Sequence, residues 1–179
     1  AEIDPYLDVS CFHKGVTTDN IDSFFNYEGK KLDLLIDECD SIDIKIALRE
    51  KAKKANTPVL MDTSDRGMLD IERFDLDAGI DLFHGLVTSG DLEQLQHAKT
   101  SDERVAIVSK ILNTETMSEG LKNSMKEIGK SITTWPQLGA DVMLGGAITA
   151  MMTRKILLNK SKVSGRFFVD LDQIINGSL

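Results

Sequence analysis

Cysteine, proline and tryptophan are scarce in this chain, at two, three and one of 179 residues. So few cysteines, Cys11 and Cys39, far apart, make neither a disulfide framework nor a metal-ligand spacing, and a reducing cytoplasm is the expected setting. The low proline count, with 13 Gly, 41% hydrophobic and 28% charged residues, excludes disordered and fibrous classes. Basic residues are outnumbered, 21 against 29 acidic, and the net charge of -8 opposes binding to nucleic acid or an anionic membrane surface. No apolar run is long enough for a bilayer: Val142 to Met152 (VMLGGAITAMM) is about half of the roughly 20 residues needed, and Asp141 and Arg154 bracket it. The beginning, AEIDPYLDV, has no basic n-region or apolar h-region and reads as a cut end rather than a signal peptide. Also missing are G-x-G-x-x-G, G-x-x-x-x-G-K-[ST] and G-x-S-x-G, so these residues do not include a complete nucleotide site or a nucleophile elbow.

What is present is one domain's worth of alternating elements. Tyr6 to Phe12 (YLDVSCF) alternates as a strand does, and the cluster at 17–20 supplies N-cap chemistry for a helix bearing Ile21, Phe24 and Phe25. Leu32 to Ile36 (LDLLI) reads as a strand covered on both faces, and Asp40 or Ser41 caps a helix whose apolar face carries Ile44, Ala47, Leu48, Lys51 and Ala55. Asn56-Thr57-Pro58 stops that helix and Val59 to Asp62 is again a buried strand. This β-α-β-α-β order over 1–75 predicts an α/β fold with a doubly wound sheet and parallel neighbours. Gly67 to Phe74 is a further strand, possible in antiparallel sense. Helices over 92–97, 102–112 and 117–128 form a helical insert within 90–130, the second with an apolar face of Val105, Ile107, Val108, Ile111 and Leu112. The closing region, 135–179, opens at Trp135-Pro136 with a helix over 137–159, apolar nearly all round and so expected to be buried against the sheet or a partner subunit, and ends in a strand over 166–171.

Chemistry concentrates after the predicted strands. Asp37, Glu38 and Asp40 lie at the carboxyl end of a parallel strand, where open α/β sheets place ligands, and such oxygens suit a magnesium ion shared with water and phosphate. The competing reading is solvated loop carboxylates, one of them a cap. Asp62-Thr63-Ser64-Asp65-Arg66-Gly67 offers an Arg fork for phosphate or carboxylate, against an Asx/ST-type turn held by its own side chains. His13, His84 and His97 lack ligand spacing and read as ordinary polar histidines. The acidic neighbours of Cys39 should raise its thiol pKa. Gly145-Gly146 inside a helix implies close packing, either in the core or at a subunit interface.

The run LDLLIDECDSIDIKIALREKAKKANTPVLMDTSD resembles the second half of the ThiF family, the ubiquitin-activating-enzyme-like adenylyltransferases, whose strand ends in Asp-x-x-Asp-Asn before a helix with Arg and Asn. Here Asp40 falls on the family's magnesium-ATP aspartate, while Ser41, Lys45 and Arg49 replace the Asn, helix Arg and helix Asn. Ile3-Asp4-Pro5-Tyr6 resembles the family's Asn-Pro step, and LGADVMLGGAITAMMTRKILL its closing Gly- and Ala-rich helix. MDTSDRGMLDIERFD with TWPQLGADVMLGG is similar to a bacterial branch that can be joined to a flavin nitroreductase-like domain.

The resemblance implies a partial Rossmann-like three-layer fold, a mixed sheet with a helical insert that lacks the first Gly-rich βαβ half. It further implies ATP and magnesium as cofactors, Asp40 as metal ligand, and Asp40, Lys45 and Arg49 as the nucleotide-binding residues. The implied reaction is activation of a carboxylate, such as a protein C-terminus, as an acyl-adenylate. Implied partners are a second copy, a ubiquitin-like carrier protein or the fused nitroreductase-like domain. By itself this chain is expected not to turn over ATP. The departures around Asp40 keep a second expectation open, a non-catalytic scaffold or docking domain of a larger redox protein. A dinucleotide-binding oxidoreductase is a third, on fold analogy alone.

Overall fold

The computed structural model describes residues 4–98, 101–133 and 136–177. Ile3, Trp135 and the side chain of Val105, which figure in the expectations above, lie outside the described residues.

The best-formed local unit is strand, helix, strand. β3 (Leu35–Ile36) leads through the 37–41 loop into α2 (Ile42–Ala55), which Ser41 precedes in extended conformation. Asp43 in the first turn and Lys53 and Lys54 in the last suit the helix dipole. Asn56 then turns left-handed at φ +48, and the Asn56 and Thr57 N–H groups close the last carbonyls of Lys53 and Ala52. Pro58 follows, and β4 (Val59–Thr63) runs parallel to β3, with Leu35 opposite Val59 and Ile36 opposite Leu60. β5 (Met68–Glu72) folds back antiparallel on β4, and β6 (Gly165–Phe168) pairs antiparallel with β5, giving the order β3-β4-β5-β6. The sheet is therefore mixed, with parallel pairing confined to β3 and β4.

Helices cover both faces of this sheet. Leu60, Leu69 and Ile71 face α6 (Gly139–Leu157) and pack on Ile148 and Ile156. On the other face, Met61 and Met68 meet Ile42 and Ile46 of α2, Leu95 of α3 (Ser89–His97), and Ile107 and Ile111 of α4 (Ser101–Leu112). A third cluster joins Leu48, Ala52 and Val59 to Phe25 of α1 (Ile21–Phe25), Leu35 and Phe74. The insert is completed by α5 (Glu119–Met125), and α7 (Leu171–Asn176) ends the described chain. β1 (Asn26–Tyr27) and β2 (Lys30–Lys31) form a small separate hairpin whose turn residues Glu28 and Gly29 both have positive φ, matching the twist of its strands.

Four expectations need correction. Tyr6 to Phe12 is not a strand: no described strand lies beside it to take its backbone hydrogen bonds, and Tyr6 is 95% exposed while Leu7 and Val9 also face solvent. Within it Phe12 packs, edge-on, against Phe24 and Tyr27. The strand over 32–36 shrinks to Leu35–Ile36, and Ile36 is exposed because β3 is the sheet's edge. The apolar face of α2 is broader than its sequence spacing implied, since Ile42, Ile46 and Arg49 turn to one cluster while Ile44, Leu48 and Ala55 serve another. Finally, α6 is buried on one side only: Gly145, Ile148, Thr149 and Ile156 face the sheet, and Val142, Met143 and Met151 face outward. Among the described residues no helix is long and apolar enough to cross a membrane.

Candidate functional site

The carboxyl ends of β3 and β4 carry the densest chemistry. Asp37 directly follows β3, its N–H bonded to Leu60 O at 2.8 Å and its carboxylate fully buried. An anion cannot remain there without partners, and α2 supplies two. Lys45 Nζ lies 2.9 Å from Asp37 Oδ2, and Arg49 Nη1 pairs with the same oxygen. Burial pushes the Asp37 pKa up, but the two cations outweigh it and hold the carboxyl below its ordinary range. Asp37 Oδ1 also accepts from the Cys39 N–H at 3.2 Å and from its thiol at 2.9 Å, which clamps the 37–41 loop.

Arg49 is the hub. Wholly buried, it donates from Nε to Glu72 Oε2 at 2.6 Å, lies against the Met61 sulfur, and stacks its guanidinium 4.0 Å over the Phe83 ring. The other Glu72 oxygen accepts the Phe83 N–H at 2.7 Å. Two residues earlier on the same face of β5, buried Asp70 meets His84 Nε2 at 3.0 Å and Arg166 Nε and Nη2 at 2.8 and 2.6 Å. Arg166 Nη1 in turn donates to Ile111 O at 2.6 Å. The result is a buried ionic belt across one face of the sheet, from the end of β3 to β6.

Glu38 and Asp62 form a second, more exposed acidic pair at the ends of β3 and β4. The Asp62 N–H donates to Glu38 Oε1 at 3.1 Å, and Thr149 Oγ1 of α6 donates to Asp62 Oδ1 at 3.3 Å. Partial burial, reinforced by the neighbouring Asp62 charge, pushes Glu38 up to about 7. Gly145 is what lets α6 approach: a Cβ there would collide with the Asp62 carboxylate, whereas one at Gly146 would meet open space. Close packing thus belongs to the first glycine of the pair and not to the second.

Of the three residues named for nucleotide binding, Lys45 and Arg49 converge, but on Asp37 and Glu72 and not on Asp40. Asp40 is exposed at the mouth of the loop. Among the described residues no group of three or more His, Cys, Asp or Glu is placed to hold a metal ion. A single exposed carboxylate still fits magnesium, which takes one or two carboxylates and fills its remaining positions with water and phosphate oxygens. Cys39 is pushed up to about 12, by burial first and then by its bond to Asp37, so it stays a thiol at neutral pH. The direction matches the expectation; the leading cause is burial rather than the acidic field.

The Asp62–Gly67 turn is fastened through contacts to distant parts of the chain more than by its own side chains. Arg66 donates to Asp170 Oδ2 at 2.6 Å and to Thr116 O at 2.7 Å, and Asp65 accepts the Ser118 N–H at 2.9 Å, so the turn knits the insert to the cap of α7. Sequence reasoning missed Asp70, Glu72 and Arg166, and took His84, which pairs with Asp70, for an ordinary polar histidine. The available signal was MLDIE itself: alternation puts Asp70 and Glu72 on one face with Met68, and two carboxylates on the buried side of a strand demand cations. A separate hollow of about 260 Å³, lined by Leu32, Asp33, Asn56, Pro58, Asp75 and Ile156 among others, opens at the amino ends of β3 and β4, away from these groups.

No family model matches the chain, and no solved structure matches it. A curated Mycobacterium tuberculosis (strain CDC 1551 / Oshkosh) protein, uncharacterized protein MT1398, is 39% identical over 176 residues. The match takes in 98% of this chain and 24% of that protein, so the chain spans about a quarter of the curated relative's length.

Proposed function

We propose that this chain is the carboxyl-terminal part of a ThiF-type adenylyltransferase-like domain with a partial Rossmann-like fold, acting within a longer cytoplasmic protein that activates a carboxylate as an acyl-adenylate. The observation that carries the reading is the 37–41 loop. It leaves the carboxyl end of β3 beside parallel β4, the place where open α/β sheets take ligands. Asp37 is tied down by two cations, while Asp40 is left exposed beside it. The exposed edge of β3 and the uncovered Tyr6, Leu7 and Val9 supply a second support, since both are surfaces that a preceding βαβ half would cover.

In this reading Asp40 would hold magnesium, whose charge would offset that of the ATP phosphates where a substrate carboxylate displaces pyrophosphate from the α-phosphate. Lys45 and Arg49 act differently from their expected part as direct ligands: they hold Asp37, and through it the loop that presents Asp40. The outward stripe of Val142, Met143 and Met151 on α6 is the surface proposed for a second copy of the chain.

The test is a calorimetric titration of the full-length protein with ATP and magnesium, beside its Asp40→Asn variant and the isolated 179-residue chain. Binding by the full-length protein, weakened about tenfold or more in the variant, with none by the isolated chain, is the expected pattern; tenfold corresponds to about 1.4 kcal/mol. Absence of ATP binding by the full-length protein rejects the reading. That outcome would favour a non-catalytic scaffold, a reading already supported by one observation: Lys45 and Arg49, the α2 cations nearest the loop, are both engaged in ion pairs with buried carboxylates.

A further inference from the structure

Phe83, His84 and Gly85 follow one another with φ of +51°, +56° and +81°. A left-handed run is sterically disfavoured for residues that carry a Cβ, and it persists only where the surroundings hold it. Three anchors do so here. The Phe83 ring is fully buried beneath the Arg49 guanidinium at 4.0 Å, the Phe83 N–H is bonded to Glu72 Oε1 at 2.7 Å, and His84 Nε2 lies 3.0 Å from Asp70 Oδ1. The charged groups around the turn come from every side: Asp70 and Glu72 of β5, Arg166 of β6, Arg49 and Lys53 of α2, and Asp81 just before it. Lys53 Nζ donates to Ile80 O at 2.6 Å, and Asp81 O accepts the His84 N–H at 3.0 Å.

Two of the anchors are sealed from solvent, while the His84 side chain is 23% exposed and can exchange its proton with water. Its ordinary pKa also lies in the physiological range. We propose that His84 is a proton-operated latch: as imidazolium it fastens the 81–87 turn to Asp70 on β5, and on losing its proton it lets the strained turn open. The turn leads directly into α3, and Phe83 and Val87 belong to the cluster that seats α3 and α4 on the sheet. Opening therefore loosens the helical insert while β3, α2 and β4 stay in place.

The direction follows from the contacts. The hydrogen bond to Asp70 raises the His84 pKa more than burial lowers it. A raised value means that the latch is fully closed below the unfolded-state pKa of histidine and is lost as pH rises through the folded-state value.

The experiment is amide hydrogen exchange by NMR on the whole 179-residue chain from about pH 5.5 to about pH 8.5, a span that brackets histidine titration. Rates are corrected for their intrinsic pH dependence, and the His84 ring is titrated in the same sample. Opening at the Phe83 and Leu86 amides should rise several-fold with the midpoint of the ring's titration, while the Ile46 and Leu48 amides in α2 do not change. In His84→Asn, a residue at ease with positive φ but without a titrating charge, the profile should be flat. A wild-type profile that does not follow the ring, or an unchanged pH profile in His84→Asn, overturns the proposal.

Discussion

Arg49 shows how one side chain can decide whether several others are tolerable. Replacing it with Met would fill much of its space while leaving Asp37 short of a partner and Glu72 facing a sulfur, so a loss of about 3–5 kcal/mol is expected in urea unfolding. The two neighbouring glycines behave oppositely. Gly145→Ala drives a methyl into the Asp62 carboxylate and should destabilise the chain, whereas Gly146→Ala meets open space and should be neutral or stabilising by up to about 1 kcal/mol through helix propensity. Equal melting temperatures for the two variants would contradict this account. At the residue level the sequence exposed the acidic 37–40 cluster, and the resemblance grouped Asp40 with Lys45 and Arg49, but nothing local showed that these cations turn to Asp37 instead. The partners Glu72, Asp70 and Arg166 were hidden, since they reach the same face from distant strands.

Elements formed by local rules were legible, and those requiring a partner were not. The end of α2 at Asn56-Thr57-Pro58 and a strand within 67–74 were readable along the chain, whereas Ser41 stands at the head of α2 without the side-chain bond expected of a cap. The apparent strand at Tyr6 to Phe12 has the same alternation but no described neighbour, and α6 has apolar residues on faces that the sheet does not cover. This asymmetry of α6 is testable. Ile148→Ala on the sheet side should cost about 2–4 kcal/mol, whereas Met143→Glu, at a side chain 76% exposed, should change stability by no more than about 0.5 kcal/mol. If Met143→Glu leaves folding intact but shifts the sedimentation coefficient towards a smaller species, the outward stripe joins two copies.

The whole molecule responds to pH through groups whose shifts have opposite signs. Asp37 and Asp70 have lowered pKa values, so the stability they contribute is present above the unfolded carboxylate range and is lost as pH falls through their folded values, on the acid side of about pH 4. Glu38 is raised from 4.5 to about 7, so its contribution is present below the lower value and disappears as pH climbs through the upper one. Because Glu38 is exposed, solvent screening reduces the effect to the order of 1 kcal/mol. Glu38→Gln should accordingly raise the melting temperature at pH values above about 7 and leave it nearly unchanged below about 4, with a uniform shift at all pH values counting against the assignment.

The placement of Arg166 also sets an order in time. Asp70 sits on β5, yet its guanidinium partner is 96 residues further along, on a strand synthesised well after the helical insert. While the ribosome is still translating the insert, Asp70 of β5 has only His84 as a charged partner and lacks the two contacts that Arg166 supplies. β4 and β5 can form their hairpin early, but the face carrying Asp70 has to stay wet until β6 emerges and docks. Final assembly of this sheet thus waits for β6, and a nascent chain that stalls before Gly165 is left with an unsealed surface for chaperones or proteases to find.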